Sequence, residues 1–452
     1  MFKINLRDLA SLQAKEKNMN GLVWFRNDMR TIDNHSLYNA CRENEKVIGI
    51  YCLDPRNFET TKYGFKKTEK FRTRFLLETV TELQENLADK NITLLVYYGY
   101  PEQLIPEIAA EYKIDSIYVQ NEWTQEEVDV ENEIRNLIPA VNWKTYYDQF
   151  LFHPDDVPYE DWEKIPEVFT EFRKQLEKKI RVRPTVSITA KPISNLIEEK
   201  TSIPTLEDLG FDSEASEFKQ PNKTAFPFKG GENQAKKRIK DYFWDTKKIA
   251  VYKKTRNGLV GKDYSSKLSA WLSNGSISAR MIYWEVQQFE KKVVTNEDTY
   301  WLIFELIWRD YFKYISLKHG NKIFQLNGIL QKEYHWNQNT KAFNQWINGT
   351  TPEHFVNANM IELQKTGWMS NRGRQNVASY WAKEWEQDWR IGAAYFESML
   401  IDYDVHSNFG NWMYNAGVGN DPRDRKFNIK RQAELYDGDG KFQKMWLIPE
   451  LF

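Results

Sequence analysis

Residues 47–54 read VIGIYCLD and residues 92–99 read ITLLVYYG. Both runs are short, rich in β-branched and aromatic residues, and apolar on both faces, which is typical of buried strands in a parallel sheet. The apolar residues between them recur at spacings of three and four, as on one face of a helix: Phe71, Phe75, Leu76, Val80, Leu83 and Leu87. A strand, a helix and a second strand in this order predict a βαβ unit, so this part of the chain is predicted to be α/β.

The same alternation extends outward on both sides of this unit. GLVWF (21–25) and SIYVQ (116–120) are predicted to be further strands, and PEQLIPEIAAEY and EEVDVENEIRNL to be helices. We therefore predict a doubly wound parallel sheet within residues 19–150. No G-x-G-x-x-G motif follows any of these strands, so the usual dinucleotide-binding loop is missing from the sequence.

The remainder of the chain has a different pattern. Residues 151–225 are polar and punctuated by prolines, with one helical segment around VFTEFRKQLEKKI, and we interpret them as a long inter-domain connector. Residues 226–452 show almost only helical periodicity and predict a larger all-α domain. Residues 1–18, MFKINLRDLASLQAKEKN, fit neither a secretory signal nor a transit peptide. We interpret them as an N-terminal lead, whose native status the sequence leaves open.

Composition excludes several classes of protein. The chain has 452 residues, of which 41% are apolar and 28% charged, as in a globular protein. It has no apolar run of about 18 residues, so no transmembrane helix or membrane partner is predicted. Two cysteines, Cys41 and Cys52, and six histidines predict neither a disulfide framework nor a metal site, and favour a reducing, cytoplasmic location. The net charge of −1 leaves a nucleic-acid partner open.

Two stretches of the helical domain carry candidate functional residues near its start. In YKKTRNGLVGKDYSSKLSAWLSNGSISAR (252–280), serine hydroxyls lie at the head of a helix, where they suit phosphate. A helix that is simply capped by serine is the plainer interpretation of that stretch. In WLIFELIWRDYF (301–312), Glu305 falls on one helical face between two tryptophans. A buried carboxylate often marks a site, but Glu305 and Arg309 could equally form a surface ion pair.

Two further stretches lie closer to the end of the chain. TGWMSNRGRQN (366–376) combines arginines and amides that could grip phosphate or a flavin-like heterocycle, or could form a solvated junction. IDYDVHSNFGNWMYNAGVGNDPR (401–423) predicts an irregular loop that approaches a ligand closely. Its Asp402 and Asp404 do not share a helix face, so a glycosidase pair is a poor interpretation, and the spacing also fails for a calcium loop.

Together these stretches resemble the photolyase/cryptochrome family, and more narrowly its cryptochrome-DASH branch. The resemblance covers nearly the whole chain from Met19 onward. The segments that carry it are LVWFRNDMRTIDNHSL, TRNGLVGKDYSSKLS, ELIWRDYF, KHGNKIF, TGWMSNRGRQNVASY and DWRIGAAYFESMLIDYDVHSNFGNWMYNAGVGNDPRDRKFNI. So many ordered matches make a chance similarity untenable.

The resemblance implies that the helical domain binds FAD in the folded-back, U-shaped form of the family. The residues that match its cofactor-binding positions are Tyr252, Ser265, Ser266, Lys267, Leu268, Ser269, Arg309, Asn371, Arg374, Asp402, Asp404 and Asn408. In the family the serine segment binds phosphate, and the residue matching Asn408 lies opposite flavin N5. We also expect Arg374 to pair with Asp402 while supporting negative charge on a reduced flavin.

The reaction that the resemblance implies is light-driven repair of cyclobutane pyrimidine dimers in UV-damaged DNA. Glu305 matches the carboxylate that hydrogen-bonds the dimer, and Trp308 and Tyr414 match the walls of its pocket. Many duplex-acting photolyases have tryptophan where this chain has Tyr414, and often methionine where it has Gln375. Both substitutions are usual in the DASH branch, and they imply a wider, more polar pocket and a preference for single-stranded DNA. Nothing in the sequence suggests an obligate dimer, so we expect a monomer, although the sequence leaves the oligomeric state open.

Three tryptophans match the electron-transfer triad of the family. Trp412 would lie nearest FAD, Trp389 between, and Trp336 at the surface. The alternative is ordinary core packing, which accounts for most buried tryptophans.

The resemblance also implies an antenna and a DNA-binding surface. Glu122, in QNEWTQEE with Trp123 beside it, matches the carboxylate that binds 5,10-methenyltetrahydrofolate in DASH proteins. A deazaflavin, no antenna, or an acid that merely favours a helix start remain open alternatives. The candidate phosphate-binding residues are Arg256, Arg372, Arg423, Arg425, Lys430 and Arg431, although such charged runs are often plain solvated surface.

Other functions fit the sequence less well. A (6-4) photolyase needs a histidine pair near the lesion, where this chain has Asn371 and Gln375. A blue-light sensor that does not repair DNA is the main alternative. The sequence ends at WLIPELF without a long signalling tail, which makes the sensor function less favoured without eliminating it. A nucleic-acid-binding module with a vestigial flavin site is a weaker alternative, since the set of FAD-matching residues is complete.

Overall fold

The computed structural model describes residues 19–421 and 423–448, so the predicted N-terminal lead of residues 1–18 lies outside the described residues. The strands are β1 (Asn20–Trp24), β2 (Lys46–Leu53), β3 (Leu94–Tyr98), β4 (Ser116–Gln120) and β5 (Asn142–Tyr146). The α-helices are α1 (His35–Glu43), α2 (Lys70–Ala88), α3 (Pro101–Glu111), α4 (Gln125–Leu137), α5 (Phe169–Lys179), α6 (Ser213–Ser216), α7 (Glu232–Ile239), α8 (Tyr252–Thr255), α9 (Ser269–Ser273), α10 (Ala279–Lys292), α11 (Glu297–His319), α12 (Thr340–Ile347), α13 (His354–Thr366), α14 (Asn371–Ser379), α15 (Trp389–Met399), α16 (Val405–Ala416), α17 (Ile429–Tyr436) and α18 (Lys441–Leu447).

The five strands form one parallel sheet in the order β3-β2-β1-β4-β5. The predicted α/β fold class is confirmed, and the four predicted strands are present within two residues at each end. The fifth strand, NWKTY, was not predicted. It lies at the sheet edge with no residue fully buried, and therefore lacks the continuous apolar run that marked the others.

The strand order creates a crevice at one end of the sheet. β1 and β4 are neighbours, and the chain leaves them toward opposite sides, which is where open α/β sheets bind ligands. Asn27 follows β1 and Glu122 follows β4, and the amide of Gln120 donates to Glu122 at 2.8 Å. Polar side chains from both strands therefore meet at the mouth of this crevice.

The rest of the described chain is mainly helical and surrounds α11, the longest helix. Asn296 caps its start in a capping box with Thr299. The predicted connector contributes to two cores, since Phe169 and Phe172 pack in the helical core and Leu206 in the core of the α/β domain. Across residues 19–421 and 423–448, no helix is both long enough and apolar enough to cross a membrane.

A buried ion network joins the two domains. On α10, Arg280 Nε contacts Asp33 at 2.9 Å and Arg280 Nη2 contacts Asp148 at 2.9 Å, and all three side chains are buried. Burial alone would raise the pKa of Asp148, but its hydrogen bond with His35 and the charge of Arg280 hold that pKa well below its usual range. Asp148 is thus kept ionised inside the protein by the cations that face it.

The backbones of the two domains also approach closely beside this network. Gly275 has φ +72°, and a Cβ atom there would lie 1.9 Å from the carbonyl oxygen of Asn27. Arg30 donates to the carbonyl oxygen of Gly275 at 3.0 Å. Only glycine permits this conformation and this approach.

Another buried carboxyl group, Glu362 on α13, has no direct ion pair among the described residues. Burial raises its pKa from 4.5 to about 8, against the opposing charges of Lys267 and Arg374. The folded protein therefore holds a proton on Glu362 at pH values where the unfolded chain has lost it.

We expect Arg280→Met to lower the free energy of unfolding by about 3–5 kcal/mol, because it leaves Asp33 and Asp148 buried without their cation. Urea unfolding followed by circular dichroism measures the loss. The control is Lys240→Met, since Lys240 and Asp245 form an ion pair with 70% and 51% of their side chains exposed. The control should lose less than about 1 kcal/mol. Equal losses in the two variants would contradict the role given to the network.

We expect Glu362→Gln to gain stability relative to the parent protein as the pH rises from about 5 to 8. The unfolded parent binds fewer protons than the folded parent in this window, so its stability falls with rising pH, by at most about 1.4 kcal/mol per pH unit. Glutamine cannot titrate and removes that slope. Urea unfolding across this pH range tests it, with the exposed Glu434→Gln as control. Parallel pH profiles for parent and Glu362→Gln would refute the assignment.

Candidate functional site

A cavity of about 400 Å³ opens in the helical domain beside α11, and most of the predicted site residues line it. They are Tyr252, Ser265, Ser266, Lys267, Leu268, Ser269, Glu305, Trp308, Arg309, Asn371, Arg374, Gln375, Asp402, Asp404 and Tyr414. Asn408 lines a smaller adjoining cavity of about 70 Å³ together with Trp412. Asn371, Gln375 and Asp404 border both spaces, which therefore share a wall.

The serine segment before α9 is held in place from behind by a buried arginine. Arg238 on α7 donates to the carbonyl oxygens of Ser266 at 3.0 Å and Ser265 at 3.1 Å. It also pairs with Asp263 at 3.0 Å. The sequence did not single out Arg238, since it follows two lysines in one charged run and only its tertiary burial distinguishes it from them.

Lys267 is the cation most suited to an anionic ligand in this cavity. Its ammonium group is buried and finds no hydrogen-bond acceptor among the described residues. It lies 3.1 Å from the ring centroid of Tyr264 and 4.7 Å from that of Trp368, and burial lowers its pKa. A buried ammonium without an acceptor is unfavourable unless a ligand supplies one, so Lys267 and the neighbouring hydroxyls fit a phosphate group.

Two aspartates, Asp402 and Asp404, line the same cavity. Asp402 accepts from Arg374 Nη2 at 2.8 and 3.0 Å and from Ser269 Oγ at 2.7 Å, so the expected pairing of Arg374 with Asp402 is present. The prediction of an irregular loop over 401–423 is wrong for Val405–Ala416, which form α16. Asp404 caps this helix and pairs with Lys313 on α11 at 2.8 Å. Burial would raise the pKa of Asp404, but Lys313 holds it well below its usual range. Asp404 is therefore a fixed negative charge.

On α11, Glu305 faces the cavity and its carboxylate pairs with Arg256. Burial raises the pKa of Glu305, while the charge of Arg256 opposes that rise. The alternative surface pair with Arg309 is wrong, because Arg309 donates instead to backbone carbonyls, including that of Leu272 at 3.1 Å. The sequence placed Arg256 only among candidate phosphate contacts.

Trp308 is fixed by an aromatic stack that the sequence did not reveal. Phe169 of α5 lies face to face with it, with ring centroids 3.6 Å apart and planes at 10°. Phe169 belongs to the predicted connector, more than a hundred residues away along the chain, so no local pattern could link the two.

The predicted phosphate-binding residues fall into separate groups. Arg256 lines the cavity, and Arg372 donates to Gln375 beside it at 2.9 Å.

Arg423 and Arg425 pair with Asp421 at 3.3 and 3.4 Å. Burial, together with the charge of Asp421, raises the pKa of Tyr414 to about 12. Lys430 and Arg431 are exposed on α17, whose Tyr436 lies under the guanidinium of Arg372 at 4.4 Å.

The three predicted relay tryptophans run from the interior toward the surface. Trp412 and Trp389 are buried, and Trp336 is half-buried. Gly392, one turn after Trp389, lies so close to Trp412 that a Cβ atom would be 2.2 Å from its Cη2. The backbone carbonyl of Asn337 accepts a hydrogen bond from the backbone N–H of Asp388 at 2.9 Å. This bond joins the chain next to Trp336 to the chain next to Trp389.

A second cavity of about 440 Å³ lies at the crevice of the sheet, between the two domains. Glu122, Lys313 and His406 line it, and Arg309 and Asp404 line both this cavity and the first one. Burial raises the pKa of Glu122 to about 7, with a further contribution from Glu127. The sequence did not predict the cavity, although the strand order would have located it. No group of metal-ligating side chains occurs within the described ranges 19–421 and 423–448.

Comparisons with known families agree with this architecture. Residues 21–192 match the family described as DNA photolyase, and residues 301–452 match the FAD binding domain of DNA photolyase. The chain is similar to the cryptochrome DASH of Gloeobacter violaceus, with 45% identity over 95% of this chain and 85% of the relative. The cryptochrome DASH of Danio rerio is 44% identical over 94% of this chain and 82% of the relative.

Solved structures show the same relationship. The crystal structure of a Synechocystis cryptochrome superposes with a TM-score of 0.89 at 43% identity, over 95% of this chain and 89% of that one. An archaeal photolyase from Sulfolobus tokodaii superposes with a TM-score of 0.74 at 25% identity, over 95% and 90% of the two chains. With its parallel sheet, helical domain and FAD-binding domain match, the chain belongs to the photolyase/cryptochrome family, in the cryptochrome-DASH branch.

Proposed function

We propose that this protein is a blue-light-driven photolyase of DASH type, which splits cyclobutane pyrimidine dimers mainly in single-stranded DNA. One observation carries the proposal. A single cavity has residues suited to FAD on one wall and Glu305, Trp308 and Tyr414 on another. A flavin and a flipped-out pyrimidine dimer could therefore lie within contact of each other.

FAD fits the residues that line the cavity. Lys267 supplies an unpaired buried cation, and Ser265 and Ser266 supply hydroxyls for the diphosphate. Arg374, held by Asp402, would face the flavin ring, and Asn408 borders the adjoining space. When bound and reduced, FAD supplies the electron that opens the cyclobutane ring and takes it back afterwards.

Glu305 is placed to hold the dimer. Because burial raises its pKa, the protonated carboxyl group is favoured once a lesion displaces Arg256 from it. In that form Glu305 donates a hydrogen bond to a carbonyl oxygen of the dimer. Trp308, made rigid by its stack on Phe169, and Tyr414 would form the flanking walls.

The preference for single strands follows from the cost of extracting the dimer. Unstacking it from a duplex costs a few kcal/mol, and less from a single strand. Gln375 and Tyr414 present an amide and a phenol where apolar surface would hold a flipped dimer more tightly. For the DNA backbone we propose contacts from Arg256, Arg372, Arg423, Arg425, Lys430 and Arg431.

We further propose that Trp412, Trp389 and Trp336 relay electrons from the surface to the flavin site. The burial of the first two and the partial exposure of the third support this order. Two free cysteines, Cys41 and Cys52, support a reducing cytoplasmic location. We propose that the protein acts as a monomer.

The cavity between the domains is the proposed antenna site. Glu122 lies at its mouth, and its raised pKa suits a hydrogen bond with the pterin ring of 5,10-methenyltetrahydrofolate. The Sulfolobus tokodaii photolyase structure is described as holding two FAD molecules, with a novel light-harvesting cofactor implied. A second flavin is therefore the competing occupant.

A blue-light photoreceptor without repair activity is the second candidate function. The names of the DASH relatives, which are called cryptochromes, favour it. In the DNA-free protein the carboxylate of Glu305, which would bind the lesion, is already paired with Arg256, and this also favours a photoreceptor.

We expect Glu305→Ala to slow blue-light repair of a thymine dimer roughly tenfold or more at limiting substrate, because leaving a buried hydrogen-bond partner unsatisfied costs about 1–3 kcal/mol. FAD content should not change. Repair is measured on an oligonucleotide that contains one dimer, both as a single strand and in its duplex. We expect the parent protein to repair the single strand faster than the duplex.

The matched control is Glu297→Ala, on the exposed first turn of the same helix. Parent-like repair by Glu305→Ala would remove Glu305 from the reaction. Equal repair of both substrates by the parent would contradict the preference. No repair of either by flavin-loaded parent would favour the photoreceptor.

We expect Glu122→Gln to weaken binding of 5,10-methenyltetrahydrofolate about tenfold, because the variant loses a charge-assisted hydrogen bond. Titration followed by folate absorbance measures the affinity. Glu133→Gln, on the exposed face of α4, should bind like the parent protein. Unchanged affinity in Glu122→Gln would place the folate elsewhere, and tighter binding of FAD than of folate would favour a second flavin.

A further inference from the structure

Trp412 has indole neighbours outside the proposed relay. Its ring centroid lies 6.2 Å from that of Trp346 on α12, with the planes at 72°. Trp346 lies 5.0 Å from Trp381, with the planes at 34°. Trp346 and Trp381 are both fully buried. Three indoles thus form a continuous row that starts beside the flavin site and leads into the core.

Hydrogen bonding makes the far end of this row different from its start. The indole N–H groups of Trp412 and Trp346 are buried and have no acceptor among the described residues. The indole N–H of Trp381 donates to the carbonyl oxygen of Asp388 at 2.9 Å. An acceptor on the N–H stabilises the positive charge of an oxidised indole, because the hydrogen bond then becomes charge-assisted. A positive charge is therefore more stable on Trp381 than on either of the other two.

Among the described residues, no oxidisable ring in contact with Trp381 continues the row toward solvent. Beyond Trp346, the ring contact of Trp381 is with Phe343, at 6.0 Å, and a phenyl ring is much harder to oxidise than an indole. Trp346 also touches Tyr395 at 5.9 Å. Burial raises the pKa of that phenol well above its usual range, so Tyr395 cannot readily release the proton that its oxidation requires.

We propose that Trp346 and Trp381 form a second electron-transfer branch, which ends inside the protein. It rests on the proposed function, because it needs photoexcited oxidised flavin as the acceptor of one electron from Trp412. Trp412 then recovers an electron from Trp346, and Trp346 from Trp381, which is left as a radical cation. The electron returns by the same route, so the cycle has no net product. The branch holds the positive charge away from the flavin without leading to lasting photoreduction.

Flash photolysis of the flavin-loaded protein tests the branch through the absorbance of oxidised tryptophan. The background is Trp389→Phe, which blocks the proposed route to the surface. In this background we expect the oxidised-tryptophan signal to decay at least about tenfold more slowly than in Trp389→Phe/Trp346→Phe, because the charge recombines from a greater distance. Trp389→Phe/Trp381→Phe should also decay faster than the background.

Trp385→Phe in the same background is the matched control. Trp385 lies one helical turn after Trp381, is half-buried, and packs on Tyr380 at 4.9 Å. Its variant should decay like the background. FAD content and the unfolding midpoint of the FAD-free proteins show whether each variant is folded, and Trp381→Phe tests the branch if Trp346→Phe does not fold.

The outcomes separate the branch from the relay. Decay in the Trp346→Phe and Trp381→Phe double variants equal to that of the background would overturn the branch and leave Trp412 as the first donor. An unchanged oxidised-tryptophan signal in Trp412→Phe would overturn the branch and the proposed relay together. A signal lost in Trp412→Phe and shortened in both double variants would support the branch.

Discussion

The contact of Arg280 with Asp33 and Asp148 is the constraint on which the rest of the structure depends. It buries one cation between two carboxylates, and each group would be strongly destabilising without the others. Asp33 and Asp148 belong to the α/β domain and Arg280 to the helical domain, so any other packing of the domains that separates them would leave these charges unpaired. The observed packing brings the carboxyl ends of the strands against α11 and the start of α16.

Both cavities follow from this packing and share a wall. Arg309 and Asp404 border each of them, and Lys313 pairs with Asp404 from α11. The charges of the wall are fixed, because Asp404 is held ionised by its neighbours. A ligand in one cavity therefore lies against the same side chains as a ligand in the other.

Sequence motifs predicted many lining residues of the first cavity, but not what holds them. The pairing of Arg374 with Asp402 was expected from the two motifs and is present. Arg238 behind the serine segment and Phe169 under Trp308 were not expected. Supporting contacts of this kind join segments far apart in the chain, and no local pattern marks them. The pairing of Glu305 with Arg256 likewise depends on how α8 meets α11.

The sequence by itself determined the α/β order of the first domain, the helical character of the second and the family, because periodicity and ordered motifs are local properties of the chain. It missed β5, whose half-buried residues have no continuous apolar run. Only the tertiary structure decided the cavity between the domains, the partner of Glu305 and the row from Trp412 through Trp346 to Trp381. These features are distances between residues remote in sequence, and such distances are set by the packing of whole helices.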